Sequence, residues 1–142
     1  MSKSIAYLNL IRFFNPIGFW LLLWPGLWGL FLSGNMDISY FTIVVLGSFL
    51  TRSVGCAIND MIDIQYDKKV DRTKNRPLAN GDLTFKEALI FTIILAAACL
   101  YLLSLTNMQT ICLVLFVAVP MIVIYPLMKR FIAVPQLFLG AT

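Results

Sequence analysis

The sequence predicts an all-α, polytopic membrane helix bundle, and three observations carry that expectation. Apolar residues make up 60% of the 142-residue chain and charged residues 13%, about half of the ~25% usual in soluble domains. Charge-free stretches long enough to cross a hydrocarbon core of ~30 Å recur along it. The basic residues gather in groups that fall on one side of a bilayer if successive spans alternate. Abundant Leu, Ile, Phe and Trp exclude a disordered chain. The net charge of +4 reads as membrane topology and is too small for a nucleic-acid-binding face, so no nucleic-acid partner is expected. The chain has no histidine, which excludes imidazole bases and His-ligated metals. Cys56, Cys99 and Cys112 lie in apolar stretches without metal-ligand spacing and read as small buried residues.

The elements follow in order. Residues 13–36 carry no charge and, at ~1.5 Å per residue, are long enough to span and too long for a signal-peptide core. Pro16 and Pro25 within them predict a kink. Ser33-Gly34-Asn35 reads as a turn. A second apolar run covers residues 38–64, interrupted by Arg52, Asp60 and Asp63, and a polar segment follows over 67–87. Residues 88–128 are again free of charge, which suits two spans joined at Thr106-Asn107-Met108-Gln109. Lys129 and Arg130 close the fourth span. Residues 132–142, with Pro135 near their start, look like the opening of a fifth. The expectation is one integral membrane domain over 1–142, with about four full transmembrane helices and the start of another. Because that last segment is too short to span, the sequence reads as the amino-terminal portion of a larger protein.

Orientation comes from the bases. Lys3 and Arg12 precede the first span, Lys68, Lys69, Arg72, Lys74 and Arg76 lie between the second and third, and Lys129 and Arg130 follow the fourth. The positive-inside rule makes that side cytoplasmic.

Most of the charge is concentrated between Asp60 and Glu87. Asp60, Asp63, Asp67 and Asp71 recur at i, i+3, i+7 and i+11. At ~100° per residue they share an arc of about 80° on a helix. Asn59 sits at the edge of that arc, and Arg52 lies on the same side two turns earlier. Like charges stacked this way repel, more strongly near a bilayer, so protonation, basic neighbours or a divalent cation must offset them. Carboxylates without imidazole or thiol partners suit a hard ion such as Mg²⁺, which shares its remaining positions with water and phosphate. Arg72, Lys74 and Arg76 follow closely, and arginine suits phosphate oxygens. Acids for metal beside bases for phosphate describe a metal-bridged diphosphate site at a membrane boundary. The bland reading, a solvated loop whose charges pair among themselves, does not explain ionisable residues inside an apolar span.

The stretch RSVGCAINDMIDIQYDKKVDRTKNRPLANG over residues 52–81 closely resembles the first aspartate-rich motif, N-D-x-x-D-x-x-x-D, of the UbiA prenyltransferase family. Its flanks, R-S-x-G-C before and V-x-R-T-x-x-R-P-L after, resemble the branch that prenylates 4-hydroxybenzoate. Leu10-Ile11-Arg12 with Pro16, Leu23-Trp24-Pro25 with Leu27-Trp28, and Tyr125-Pro126-Leu127-Met128-Lys129-Arg130 with Pro135-Gln136 resemble other pieces of the family pattern. The resemblance thus covers essentially the whole chain.

The resemblance implies nine transmembrane helices around a central cavity. It also implies Mg²⁺-dependent transfer of a polyprenyl group from polyprenyl diphosphate to the ring carbon ortho to the hydroxyl of 4-hydroxybenzoate, in ubiquinone biosynthesis at a bacterial inner membrane. It carries Asn59, Asp60, Asp63 and Asp67 over as the first metal–diphosphate site, with the three aspartates catalytic. Arg12, Asn59, Arg72, Arg76, Tyr125, Lys129 and Arg130 are carried over as substrate-binding positions. Phe14, Trp20, Trp24 and Tyr125 are aromatic candidates to face the allylic cation. The family's second aspartate motif does not occur before Thr142, so the 142 residues alone are expected to insert into lipid but not to turn over. Other readings are a different aromatic, quinone-precursor or haem acceptor, a divalent-cation transporter, or an inactive fragment.

Overall fold

The computed structural model describes residues 2–34 and 37–120. All regular structure among them is helical. The first of two compact units runs to Leu102 and contains α1 (Lys3–Leu10), α2 (Ile17–Leu32), α3 (Ile38–Asp67) and most of α4 (Phe85–Ser104).

Each helix start has a local cause. The Ser2 and Asp37 side chains accept from the backbone N–H of Ile5 and Ser39, satisfying otherwise orphaned donors. Thr84 and Glu87 form a reciprocal capping box. The Thr84 N–H donates to Glu87 Oε2 at 2.9 Å, and the Glu87 N–H donates to Thr84 Oγ1 at 3.3 Å. Pro16 was expected to kink a span but instead stands at the N-cap of α2. The first predicted span is therefore shorter than expected, because residues 13–15 belong to the break between α1 and α2. Pro25 does lie inside α2.

α3 is the central element. Its 30 residues extend ~45 Å at 1.5 Å each. A hydrocarbon core of ~30 Å takes about twenty of them, so α3 is longer than one crossing needs. α3 and α4 are long and apolar enough to cross a membrane; α2, at 16 residues, is shorter. The burial pattern is inverted relative to a soluble protein. The buried stripe of α3 is small and polar, comprising Ser48, Ser53, Cys56, Ala57, Asp60, Asp63 and Asp67. Large apolar residues such as Leu46, Ile62, Ile90, Ile93 and Ile94 face outward. A lipid solvent rewards that arrangement, because polar groups can be satisfied only inside the protein.

α2 packs along α3 and α1 packs on α3 nearer its acidic end. A small core forms where α1 meets the segment after α3. Ala6, Leu10, Ala57, Leu78, Leu83 and Ala88 are buried together, with Tyr7, Met61, Ile64 and Phe91 against them. The Lys3 ammonium pairs with Glu87, and that carboxylate, by hydrogen bond first and charge second, holds the ammonium above its ordinary value. The pair is largely exposed and adds little stability.

The segment between α3 and α4 is ordered by its own residues. Pro77 is fully buried, Leu78 and Leu83 nearly so, and the Leu83 N–H donates to the Pro77 carbonyl at 3.0 Å. Gly81 takes φ +86°, a conformation that favours glycine. The Thr73 hydroxyl donates to the Asp67 carbonyl at 3.1 Å, covering one of the open carbonyls at the end of α3.

The second unit begins at Leu103. Its α5 (Met108–Leu113) is capped by Asn107, whose Oδ1 accepts from the Thr110 N–H at 2.8 Å. It continues as a π-helical turn over Val114–Ala118. The expected turn at 106–109 thus coincides with a helix start. Cys112 is exposed, unlike buried Cys56, a departure from the expectation that all three cysteines are buried.

Candidate active site

The acidic face of α3 is built by helical repetition as far as Asp67 and no farther. Asp60, Asp63 and Asp67 are all buried on it. Asp71 leaves the expected arc because the helix ends at Asp67. Its side chain is 98% exposed and pairs with Lys74 at 2.8 Å. The chain after Asp67 turns within a few residues to bury Pro77 and Leu78, and that turn removes the fourth aspartate from the stripe.

Two arginines distant in sequence converge on this face. Arg12 Nη2 donates to Asp60 Oδ1 at 2.7 Å. Arg76 Nη1 donates to the same oxygen at 3.1 Å and to Asp67 Oδ2 at 2.8 Å. Asp60 is 0% exposed, so these charge-assisted bonds replace its lost hydration. Arg76 points inward because the next two residues, Pro77 and Leu78, are anchored in the core. Arg12 occupies the break between α1 and α2 with φ +59°, the only positive φ at a non-glycine among the described residues. This backbone costs about 1–2 kcal/mol. It is held by the Arg12 N–H donating to Asn9 O at 3.1 Å, the Asn15 N–H donating to Arg12 O at 2.9 Å, and the ion pair to Asp60. Strain persisting beside buried charge is a mark of a functional site.

The remaining predicted residues fall as follows. Asn59 is half-buried beside Asp60. Arg72 is exposed and has no ion-pair or hydrogen-bond partner among the described residues, so the structure does not bring it to the acidic face. Phe14, Trp20 and Trp24 are all exposed, and of the three Trp20 lines the cavity described next. Tyr125, Lys129 and Arg130, with the expected fifth span, lie outside the described residues.

The donor set fits Mg²⁺. Asp60 Oδ2 is buried and accepts no hydrogen bond among the described residues, which leaves an acceptor position open to a partner from beyond them. Among the described residues no group of three or more Asp, Glu or Cys side chains is placed to hold a metal ion. Mg²⁺ does not require one, since one or two carboxylates suffice when phosphate and water complete its shell.

A cavity of about 270 Å³ adjoins this face. Its walls include Arg12, Asn15, Arg52 and Ser53 together with Phe13, Phe19, Trp20 and Phe49. Phe49 meets Phe13 and Phe19 edge-on, at 6.4 and 6.1 Å between centroids. Arg52 stood out in the sequence as a charge within an apolar span, but its place in a cavity was not legible. That place arises because α2 packs on α3 and residues of the 11–16 break contribute to the same cavity wall. Arg12 belongs both to the cavity wall and to the Asp60 pair.

A profile of the UbiA prenyltransferase family matches residues 22–142. The chain is 49% identical over 141 residues to the 4-hydroxybenzoate octaprenyltransferase of Pasteurella multocida (strain Pm70), covering 98% of this chain and 48% of that protein. It is 44% identical to the protein of that name from Marinomonas sp. (strain MWYL1), over 99% of this chain and 50% of the relative. The corresponding Nitrosomonas europaea protein is 47% identical over 98% of this chain and 48% of its own length. The chain thus spans about half the length of the curated relatives it matches. No solved structure matches it significantly.

Proposed function

The chain belongs to the UbiA prenyltransferase family, and on that premise we propose that it provides the first aspartate site and part of the acceptor pocket of an integral membrane enzyme. The enzyme transfers a polyprenyl group from its diphosphate to 4-hydroxybenzoate, a step of ubiquinone biosynthesis, at the cytoplasmic face of a bacterial inner membrane. The observation that carries the reading is the adjacency of the two sites. The acid face and the aromatic cavity share Arg12. The relatives' printed names supply the acceptor.

On the face that carries Asp60, Asp63 and Asp67, one or two of these carboxylates would hold Mg²⁺, which when bound neutralises charge on the leaving diphosphate. Arg12 and Arg76 reach the same place and contribute positive charge to phosphate oxygens once released from the carboxylates. The cavity is just under the ~300–1,000 Å³ of drug-sized sites, which suits one aromatic ring. Guanidinium groups of Arg12 and Arg52 would accept the acid's carboxylate, and Phe19, Trp20 and Phe49 would flank its ring. In the reaction the allylic carbon–oxygen bond breaks and its electron pair leaves with the diphosphate. The ring carbon ortho to the phenol attacks the allylic cation, then loses its proton to the released diphosphate, which restores aromaticity. Apolar walls keep water from the cation. Bases turned onto the acids favour this anion-bridging role over a cation-conducting pathway.

The test is transfer of a radiolabelled prenyl group in membranes holding the full-length protein and Mg²⁺. Ring-prenylated 4-hydroxybenzoate is the expected product, and Arg52→Ala should raise the KM for that acid about tenfold or more. Failure to prenylate it, with another aromatic consumed instead, would replace the acceptor. Unchanged KM in Arg52→Ala would remove the cavity from the reading.

A further inference from the structure

We propose that Gly18 is a positioning residue that sets where the Arg52 guanidinium stands, and through it the enzyme's affinity for an aryl carboxylate. The proposal deepens the reading of the acceptor cavity and rests on it.

Arg52 is a cation on an apolar stretch of α3, with a long side chain that has many rotamers available. A useful acceptor site needs it held in one of them. Across from it, Gly18 lies in the first turn of α2. A methyl group built on Gly18 would stand 2.5 Å from Arg52 Cζ and 2.6 Å from Nη2. The planar guanidinium therefore rests on bare α2 backbone, in space that any other side chain would fill. Other glycines of the unit do not play this part. Gly29, Gly47 and Gly55 have open space where a methyl would go, and Gly26 meets only Val44 Cγ1 at 2.9 Å.

What yields on substitution decides the outcome. Gly18 has no positive φ and sits in a helix, where alanine is preferred to glycine. The atoms in the way are the far end of a flexible side chain, so Gly18→Ala moves the guanidinium and leaves the backbone in place. Stability should hold or rise while recognition of the carboxylate falls. A merely structural glycine would give the opposite pattern.

The experiment compares wild type, Gly18→Ala, Arg52→Ala, Arg52→Lys and Gly18→Ala/Arg52→Lys in the full-length protein. The readouts are 4-hydroxybenzoate binding, the KM for each substrate, kcat and thermal stability. Gly18→Ala is expected to weaken the acid's binding and raise its KM about tenfold, with KM for prenyl diphosphate and kcat within twofold and an equal or higher Tm. In the Arg52→Lys background, which lacks the planar group, adding Gly18→Ala should change the acid's KM by less than twofold. Normal acid binding in Gly18→Ala, full additivity with Arg52→Lys, or a lowered Tm with both KM values raised would overturn the proposal. If wild type uses a different aromatic acid, the acceptor reading falls. The Gly18 proposal is then judged on that acid by the same comparison.

Discussion

Replacing Arg76 by alanine is the perturbation on which the site geometry makes its firmest demand. A single nitrogen of this side chain donates both to Asp60 Oδ1 at 3.1 Å and to Asp67 Oδ2 at 2.8 Å. Hydrogen bonds to charged groups contribute ~1.5–3 kcal/mol each, and removing one partner of a buried ion pair costs ~3–5 kcal/mol. Two features lower the figure. Arg76 is 22% exposed, and Asp60 keeps Arg12 at 2.7 Å. The expected loss is therefore about 2–3 kcal/mol for Arg76→Ala. Arg76→Lys keeps the charge but draws it back from the carboxylates, and should lose about half as much. The two groups touch, so Asp60→Asn should relieve part of the cost, with a coupling of ~1–2 kcal/mol. Reversible unfolding of the full-length protein in mixed micelles measures all four variants of that cycle. Arg76→Ala within ~0.5 kcal/mol of wild type, with no coupling to Asp60→Asn, would refute the inward-turned arginine and the diphosphate site built on it.

Asp60→Ala and Asp63→Ala in the full-length protein should each lower prenyl transfer by ~100-fold or more while leaving membrane insertion intact; near-normal turnover of the double variant at saturating Mg²⁺ would show that the metal is held elsewhere. Single cysteines placed in the 68–82 segment should react with an impermeant reagent only from the cytoplasmic side, and those at 106–109 only from the other; labelling of 106–109 from the cytoplasm alone would contradict the orientation. Leu83→Ala removes a side chain that is 2% exposed and should cost about 2–4 kcal/mol. It should speed proteolysis between Lys68 and Asp82 and lower activity through the loss of Arg76 placement, whereas unchanged cleavage would mean that the segment is not anchored by this core.

The sequence by itself determined the helical membrane class, the polar segment between α3 and α4, the one-sided aspartates and the family. These are properties of composition, of a 3.6-residue repeat and of a contiguous motif, all of which act over short stretches of chain. It read correctly that Asp60, Asp63 and Asp67 share a face, because helical phase alone fixes that. It overextended the face to Asp71, since the end of α3 depends on where Pro77, Leu78 and Leu83 are buried. Only the tertiary structure decided that Pro16 begins a helix, that Arg12 takes a left-handed backbone to reach Asp60, that Arg76 folds back while Arg72 stays outside, and that Arg52 rests on Gly18 beside an aromatic cavity. Each of these joins residues many positions apart. A buried carboxylate selects its partner by which cations the packed chain can deliver within hydrogen-bond distance, and sequence spacing does not encode that delivery.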